Sequence, residues 1–273
     1  MKPNNKSLIA SLLKPREADS HKGTYGHALL IAGNKGKMGA AVIVAKACLR
    51  TGAGLVTVNA PEAERFILQS AIPEAMLVMR ADKKIDYNIY NAIGIGPGIG
   101  TDKNAKRIIE NVLTHHNKPI VLDADALNII AANKKLFNKI PSGSIITPHV
   151  KEFDRLFGVH QLVEEREETA IKVAREFEIT VVLKGYKTFV TNQGEIYINN
   201  TGNAGLAKAG SGDALTGMIT AFIAQGYDSF AAARIGVYLH GLSADIALEN
   251  QSMESLLISD VIDSIGKAFK TIL

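Results

Sequence analysis

A chain of 273 residues, 47% of them hydrophobic, can bury a core without disulfide or metal staples and is short enough to form one large α/β domain. Its lone cysteine, Cys48 in an alanine-rich stretch, excludes an internal disulfide and fits a reducing compartment. The net charge of +4 comes from scattered lysines with no basic helix, which points away from nucleic acid and toward a small phosphate-bearing partner, unless it serves solubility alone.

The chain opens on polar Asn4 and Asn5 and soon reaches Lys14, Pro15 and Arg16, so no signal-peptide core is read there. No run approaches the roughly 20 apolar residues of a membrane helix, and the cytoplasm is the expected compartment. From residue 27 onward, short apolar runs alternate with helical patterns, the mark of βαβ units and a mostly parallel sheet. The first predicted strand, 27–32, runs into Gly33, Asn34, Lys35, Gly36, Lys37, Met38, Gly39 and Ala40, then a helix at 40–51. Missing side chains would let a planar ligand lie close to that backbone, although tight strand-to-helix packing accounts for the loop as well.

A strand at 55–59 follows, then one at 92–96 that ends in the cluster Gly94, Gly96, Pro97, Gly98, Gly100. Thr101 and Asp102 open a helix at 102–116, so the amides of this second loop are placed to face an anion. Ile99 stands where a dinucleotide fingerprint needs its last glycine, and Lys37 is followed by Met38 where a Walker loop needs Ser or Thr. Both departures weaken the dehydrogenase and P-loop readings. His115 and His116, adjacent on a helix, diverge too far to share a metal and read as a solvated helix end.

Strands are predicted at 120–123, 144–147 and 180–183, with a helix at 164–177. Asp123 and Asp125 either meet magnesium, directly or through water, or merely close a strand-end turn; no catalytic role is assigned to them. Lys184, Gly185, Tyr186, Lys187 and Thr188 leave the strand at 180–183, a place that favours ligand phosphates or an adenine edge, or else a plain solvated turn. Segments 188–192 and 195–199, joined at Gln193 and Gly194, read as an antiparallel hairpin. Helices are predicted at 213–225 and 229–249. With no internal repeat and no linker, residues 1–273 are read as a single domain.

The most informative segment is Ala209, Gly210, Ser211, Gly212, Asp213, entering a long apolar helix. Gly210, Ser211 and Gly212 at a helix start leave amide hydrogens unpaired where the helix dipole favours negative charge, which makes an anion hole. Such amides can neutralise charge on a transferring phosphoryl group while the Asp213 carboxylate accepts the proton of an attacking hydroxyl. The dipole is expected to keep Asp213 ionised, a weak base acting by position. A bland alternative, an acidic residue stabilising a helix start, leaves the surrounding glycines unexplained.

Nine ordered segments carry a resemblance: HKGTYGHALLIAG, MGAA, RTGAGLV, GPGIG, DADALN, TPHVKEFDRL, VVLKGYKT, NTGNAGLAKAGSGDALTGM and YLHG, from about His21 to beyond His240. Together they resemble the ADP- or ATP-dependent NAD(P)H-hydrate dehydratases. The resemblance implies a ribokinase-like α/β fold, a three-layer sandwich whose mostly parallel central sheet is flanked by helices and carries the antiparallel hairpin. It also implies repair of the S epimer of hydrated NADH or NADPH: the carbon-six hydroxyl is phosphorylated by ADP or ATP, and phosphate then leaves.

Position by position, the resemblance places Ala40, Gly98 and His149 on the hydrated dinucleotide and makes Asp213 the base facing the carbon-six hydroxyl. Lys184, Gly185, Tyr186, Lys187, Thr188 and Gly212 would line the nucleotide. Magnesium should accompany that nucleotide, with no protein ligand assigned. A homotetramer is implied, with the apolar helix 229–249 available for an interface, and so is functional pairing with a separately encoded NAD(P)H-hydrate epimerase. Two departures stand out. Ala209 and Ser211 stand where the family commonly has glycine and threonine, the serine keeping hydroxyl and amide and the alanine expected to narrow the loop. The epimerase domain often fused to family members is not read in this sequence. The alternatives are a vitamin-precursor kinase of the same superfamily, such as a hydroxyethylthiazole or hydroxymethylpyrimidine kinase, and a non-catalytic nucleotide sensor.

Overall fold

The computed structural model describes residues 1–81 and 85–273. Its strands are β1 (Lys2–Asn4), β2 (His27–Ile31), β3 (Leu55–Ala60), β4 (Met76–Met79), β5 (Ala92–Ile95), β6 (Ile120–Leu122), β7 (Ile145–Ile146), β8 (Thr180–Leu183), β9 (Thr188–Asn192) and β10 (Glu195–Asn199). The helices are α1 (Lys6–Leu12), α2 (Met38–Arg50), α3 (Arg65–Ala71), α4 (Lys103–His115), α5 (Asp125–Ala132), α6 (Val150–Phe157), α7 (Val163–Glu176), α8 (Ser211–Ala224), α9 (Ser229–Ala247), α10 (Ile258–Asp263) and α11 (Ile265–Ile272).

All ten strands join one sheet in the order β1-β10-β9-β8-β7-β6-β5-β2-β3-β4. β9 alone runs against its neighbours, because the turn at Gln193 and Gly194 folds it back between β8 and β10. The strand and hairpin expectations hold to within a residue or two. Unforeseen were the two edge strands, β1 and β4: three residues around Pro3 carry no alternation, and β4 is half-exposed and rich in methionine.

Alternation along β2 sorts the core. Ala28 and Leu30 face a layer of α2, α8, α9 and α11, whereas Leu29 and Ile31 face α4, α5, α6 and α7. Parallel strands covered on both faces read as continuous apolar runs, which is why β2 and β8 contain almost no polar residue. α9 corrects one expectation. It is interior, buried continuously from Ala231 to Gly241 against α8 and α11, so its apolar surface stabilises this chain and is not free for an interface.

β2 sends its chain toward β3 on one side, while β5 lies on its other side and leads to β6, β7 and β8. The loops leaving β2 and β5 lead to α2 and α4 on opposite faces of the sheet, and ligands of such sheets collect at this switch in strand order, at the carboxyl ends of the strands. No described helix is long and apolar enough to cross a membrane.

Candidate active site

Adjacent strands β2, β5, β6, β7 and β8 deliver to this edge, in turn, the loops 33–39, 96–100, 123–125, 148–149 and 184–187. The start of α8 faces them. Gly210 is its cap residue, with φ of 94°, a left-handed conformation that suits glycine, and no side chain caps the helix. Ser211 N donates to the Lys208 carbonyl at 3.4 Å, which leaves the amides of Gly212 and Asp213 as the first of α8 without a backbone acceptor. A cavity of about 470 Å³ opens over the turn, bordered by Lys184, Gly185, Tyr186, Thr188, Ser211 and Gly212, with His240 and residues 201–204 across from them. A larger cavity of about 920 Å³ lies elsewhere, between α4 and residues 85–88, and holds none of the expected site residues.

Lys184 is fixed at both ends. Its amide donates to the Pro148 carbonyl at 2.9 Å, and its Nζ donates to Asp123 Oδ1 at 2.7 Å. Thr216 Oγ1, one turn into α8, donates to Asp123 Oδ2 at 2.9 Å. Asp123 is 1% exposed, so the carboxylate ties the lysine to the floor of the anion hole. A methyl group on Gly212 would sit 3.0 Å from Lys184 Nζ, which shows how closely the amide turn and the cation share one spot.

Asp213 is more basic than the helix dipole alone implies. Burial, and next the charge of Asp123, push its carboxyl from 3.8 up to about 6, with Lys184 opposing. Expecting a weak base held ionised by the dipole underweighted desolvation, which charges the carboxylate form a larger penalty than the dipole returns. Burial likewise raises Glu152, again with Lys184 opposing. His240 in the cavity wall is lowered to about 4, first by burial and then by Lys184, so its ring is neutral near pH 7.

On the other side, the two glycine loops are zipped together. Gly33 N donates to Pro97 O at 2.8 Å, and Asn34 Nδ2 donates to Ile99 O at 3.1 Å. Gly98, with φ of 65°, lies directly against Ala40: an added Cβ would meet the Ala40 methyl at 2.9 Å. Asp125 Oδ2 accepts from Gly100 N at 2.8 Å and lies 3.9 Å from Lys37 Nζ.

His149 caps α6. Its Nδ1 accepts from the amides of Lys151 and Glu152 at 3.1 and 3.3 Å, and Glu152 returns the bond by accepting from His149 N at 2.9 Å. With Nδ1 used as an acceptor, the proton is assigned to Nε2, on a side chain that is 47% exposed. This capping box hides in TPHVKEF as a local helix signal, so Glu152 was missed as a member of the charged cluster around Lys184.

Ala40 is therefore brought beside Gly98, and Lys184 beside Gly212. Lys187 is exposed and does not border the cavity, because the turn after β8 points it outward. Ala209 is exposed and does not narrow the turn. His116 is 3% exposed, with desolvation lowering its pKa, so only His115 fits the solvated helix end. Among the described residues no group of three or more His, Cys, Asp or Glu could hold a metal ion.

The sequence model of the NAD(P)H-hydrate dehydratase family matches residues 28–267. The ADP-dependent (S)-NAD(P)H-hydrate dehydratase of Neisseria meningitidis is 40% identical over 255 residues, covering 91% of this chain and 86% of that protein. A bifunctional NAD(P)H-hydrate repair enzyme of Moorella thermoacetica is 35% identical, and this chain spans about half, 51%, of its length. In three dimensions the ADP/ATP-dependent NAD(P)H-hydrate dehydratase of Bacillus subtilis, co-crystallised with ATP and Mg2+, superposes with a TM-score of 0.90 at 33% identity, covering 100% of this chain and 99% of that one. The ribokinase-like sandwich, the site and a family match that runs through every loop lining it lead to one assignment: the chain belongs to the NAD(P)H-hydrate dehydratase family.

Proposed function

We propose that the chain restores NADH or NADPH from the S epimer of their hydrated forms, with ADP or ATP as phosphoryl donor. The observation that carries this reading is the uncapped turn at Gly210, Ser211 and Gly212, open on a cavity and flanked by a basic carboxylate, Asp213, and a fixed cation, Lys184. The naming of the relatives supports the substrate class.

In this reading Ala40, Gly98 and His149 hold the hydrated dinucleotide, and Lys184, Gly185, Tyr186, Thr188 and Gly212 hold the nucleotide. Asp213 takes the proton of the carbon-six hydroxyl as its oxygen bonds to the terminal phosphorus and the donor's own P–O bond breaks, which releases AMP from ADP or ADP from ATP. The Gly212 amide in the turn at Gly210, Ser211 and Gly212, with Lys184, holds the migrating phosphoryl group. Phosphate then departs with its C–O electrons while the ring nitrogen's lone pair assists, and loss of a neighbouring ring proton completes the double bond. Hydroxide leaves poorly and phosphate well, which is why the nucleotide is consumed.

The residues fit a magnesium ion carried on the nucleotide phosphates, since such ions need only one or two protein carboxylates and Asp123, Glu152 and Asp213 surround Lys184. When bound, it would neutralise charge on the nucleotide phosphates. A cytoplasmic setting, tetrameric assembly through a surface other than α9, and pairing with a separate epimerase belong to the same proposal. The bifunctional relative, about twice as long, supports that pairing.

Incubation with hydrated NADH, magnesium and ADP or ATP tests the reading. Return of reduced-nicotinamide absorbance with release of AMP or ADP is expected. Phosphorylation of a vitamin precursor with no such return would assign the chain to the related kinases instead.

A further inference from the structure

The segment Asp123, Ala124, Asp125 contains a conformation that an L-residue rarely adopts: Ala124 has φ of 49° and ψ of −120°. In a strand, residues two apart point the same way. The reversal at Ala124 breaks that rule and separates the carboxylates. Asp123 reaches Lys184 and Thr216, on the phosphoryl-transfer side. Asp125 begins α5 and reaches Gly100 N and Lys37, on the side of the two zipped glycine loops. Strain at a non-glycine position persists only where its surroundings enforce it, and here it divides one turn between two half-sites.

We infer that this turn is a brace common to both halves of the site, and that Asp125 is the positioning residue for the half that takes the hydrated dinucleotide. Loops 33–39 and 96–100 hold each other through Gly33 with Pro97 and Asn34 with Ile99, yet both of these bonds lie within the pair of loops. Asp125 ties that pair to the start of α5, through the Gly100 amide on one loop and the Lys37 ammonium on the other, while Arg80 holds the Gly33 carbonyl from the β4 side. Gly98 sits between these two anchors, with the Lys37 carbonyl 3.3 Å from where its Cβ would be, so the Ala40–Gly98 platform depends on where Asp125 holds them. Asp125 itself touches no reacting atom in this account.

The inference rests on reading that half as the dinucleotide side, and the two can fail separately. The test compares wild type, Asp125→Ala and Asp125→Asn by steady-state kinetics with hydrated NADH and ADP, and by calorimetric binding of NADH and of ADP. Removing a charge-assisted acceptor should raise KM for hydrated NADH and Kd for NADH by about tenfold or more in Asp125→Ala, with kcat and the ADP constants within about twofold. Asparagine keeps an acceptor for the Gly100 amide, so Asp125→Asn should recover most of the loss. Equal effects on NADH and ADP, no effect on either, or an asparagine variant as impaired as the alanine one would overturn the inference. A wild-type chain that binds NADH but leaves hydrated NADH unchanged refutes the proposed function alone, and the binding arm still reads the brace; a wild type that binds no reduced dinucleotide overturns both.

Discussion

Lys184 Nζ lies 2.7 Å from Asp123 Oδ1 across the end of β7, pairing the exits of β8 and β6 beneath the first turn of α8. Asp123 is almost fully buried, so removing the cation strands a charge. Lys184→Met should cost about 3 kcal/mol of folding stability and abolish most turnover. Adding Asp123→Asn should recover much of the stability and none of the activity. Thermal denaturation of the single and double variants, with kinetics on both, checks this; a single variant as stable as wild type would show that the pair carries no burial cost.

Asp213 should set the acid limb of the pH profile. Its carboxyl, pushed up to about 6 by burial and then by Asp123, must be ionised to accept a proton, so kcat/KM should fall below about pH 6 and level off above it. The same shift acts on stability with the opposite sign. A folded-state pKa above the unfolded 3.8 means that the contribution is present below that value and is lost as pH rises through about 6. Asp213→Asn should therefore be more stable than wild type at neutral pH, by about 1 to 3 kcal/mol, while binding ADP and losing turnover at least about a thousandfold. A flat pH profile between 5 and 7, or equal turnover in the variant, contradicts the assignment.

Two neighbouring glycines should respond differently to alanine. At Gly210, φ of 94° and a Cβ position 2.7 Å from Ile43 Cδ1 make Gly210→Ala a folding defect of about 1 to 3 kcal/mol. Gly212 has ordinary helical backbone, and the nearest atom to an added methyl is Lys184 Nζ, the end of a long side chain, at 3.0 Å. Nζ need give by only a few tenths of an ångström and keeps its bond to Asp123, so Gly212→Ala should leave the melting temperature nearly unchanged, alanine favouring the helix by up to about 1 kcal/mol, while the methyl crowds the phosphate. The expected signature is a raised KM for ADP in a stable protein. Melting curves with matched kinetics separate the pair.

His149 combines a cap with an exposed ring, and two substitutions divide those roles. Asparagine can still accept from the α6 amides, so His149→Asn should keep the stability that His149→Ala loses, about 1 kcal/mol. Both should weaken binding of the hydrated dinucleotide. If His149→Asn retained full affinity, the histidine would be a cap and nothing more.

The boundary between what was readable in residue order and what was not follows from the range of the forces involved. Strands such as β2 and β8, the hairpin, the helix starts at Asp102 and Ser211 and the glycine loops are local features, written in runs of apolar residues, turn residues and caps over a few positions. From these alone a parallel sheet with an anion-binding helix start could be inferred. The edge strands β1 and β4 were missed because they gain their structure from the neighbour they pair with.

What residue order could not carry is the electrostatics of the site. Asp123, Glu152, Lys184 and Asp213 are far apart in the chain, and each has an ordinary local explanation: a strand-end turn, a capping box, a solvated turn, a helix start. Only the adjacency of β6, β7 and β8 beneath α8 places them in one poorly solvated spot, where desolvation and mutual charge raise the basicity of Asp213 and lock Lys184 in place. The same distinction holds for α9, whose apolar pattern declares burial without saying against what. Pattern within a segment is set by backbone geometry and solvent, and so appears in sequence; a pKa or a buried ion pair depends on distances between segments, which exist only once the chain has folded.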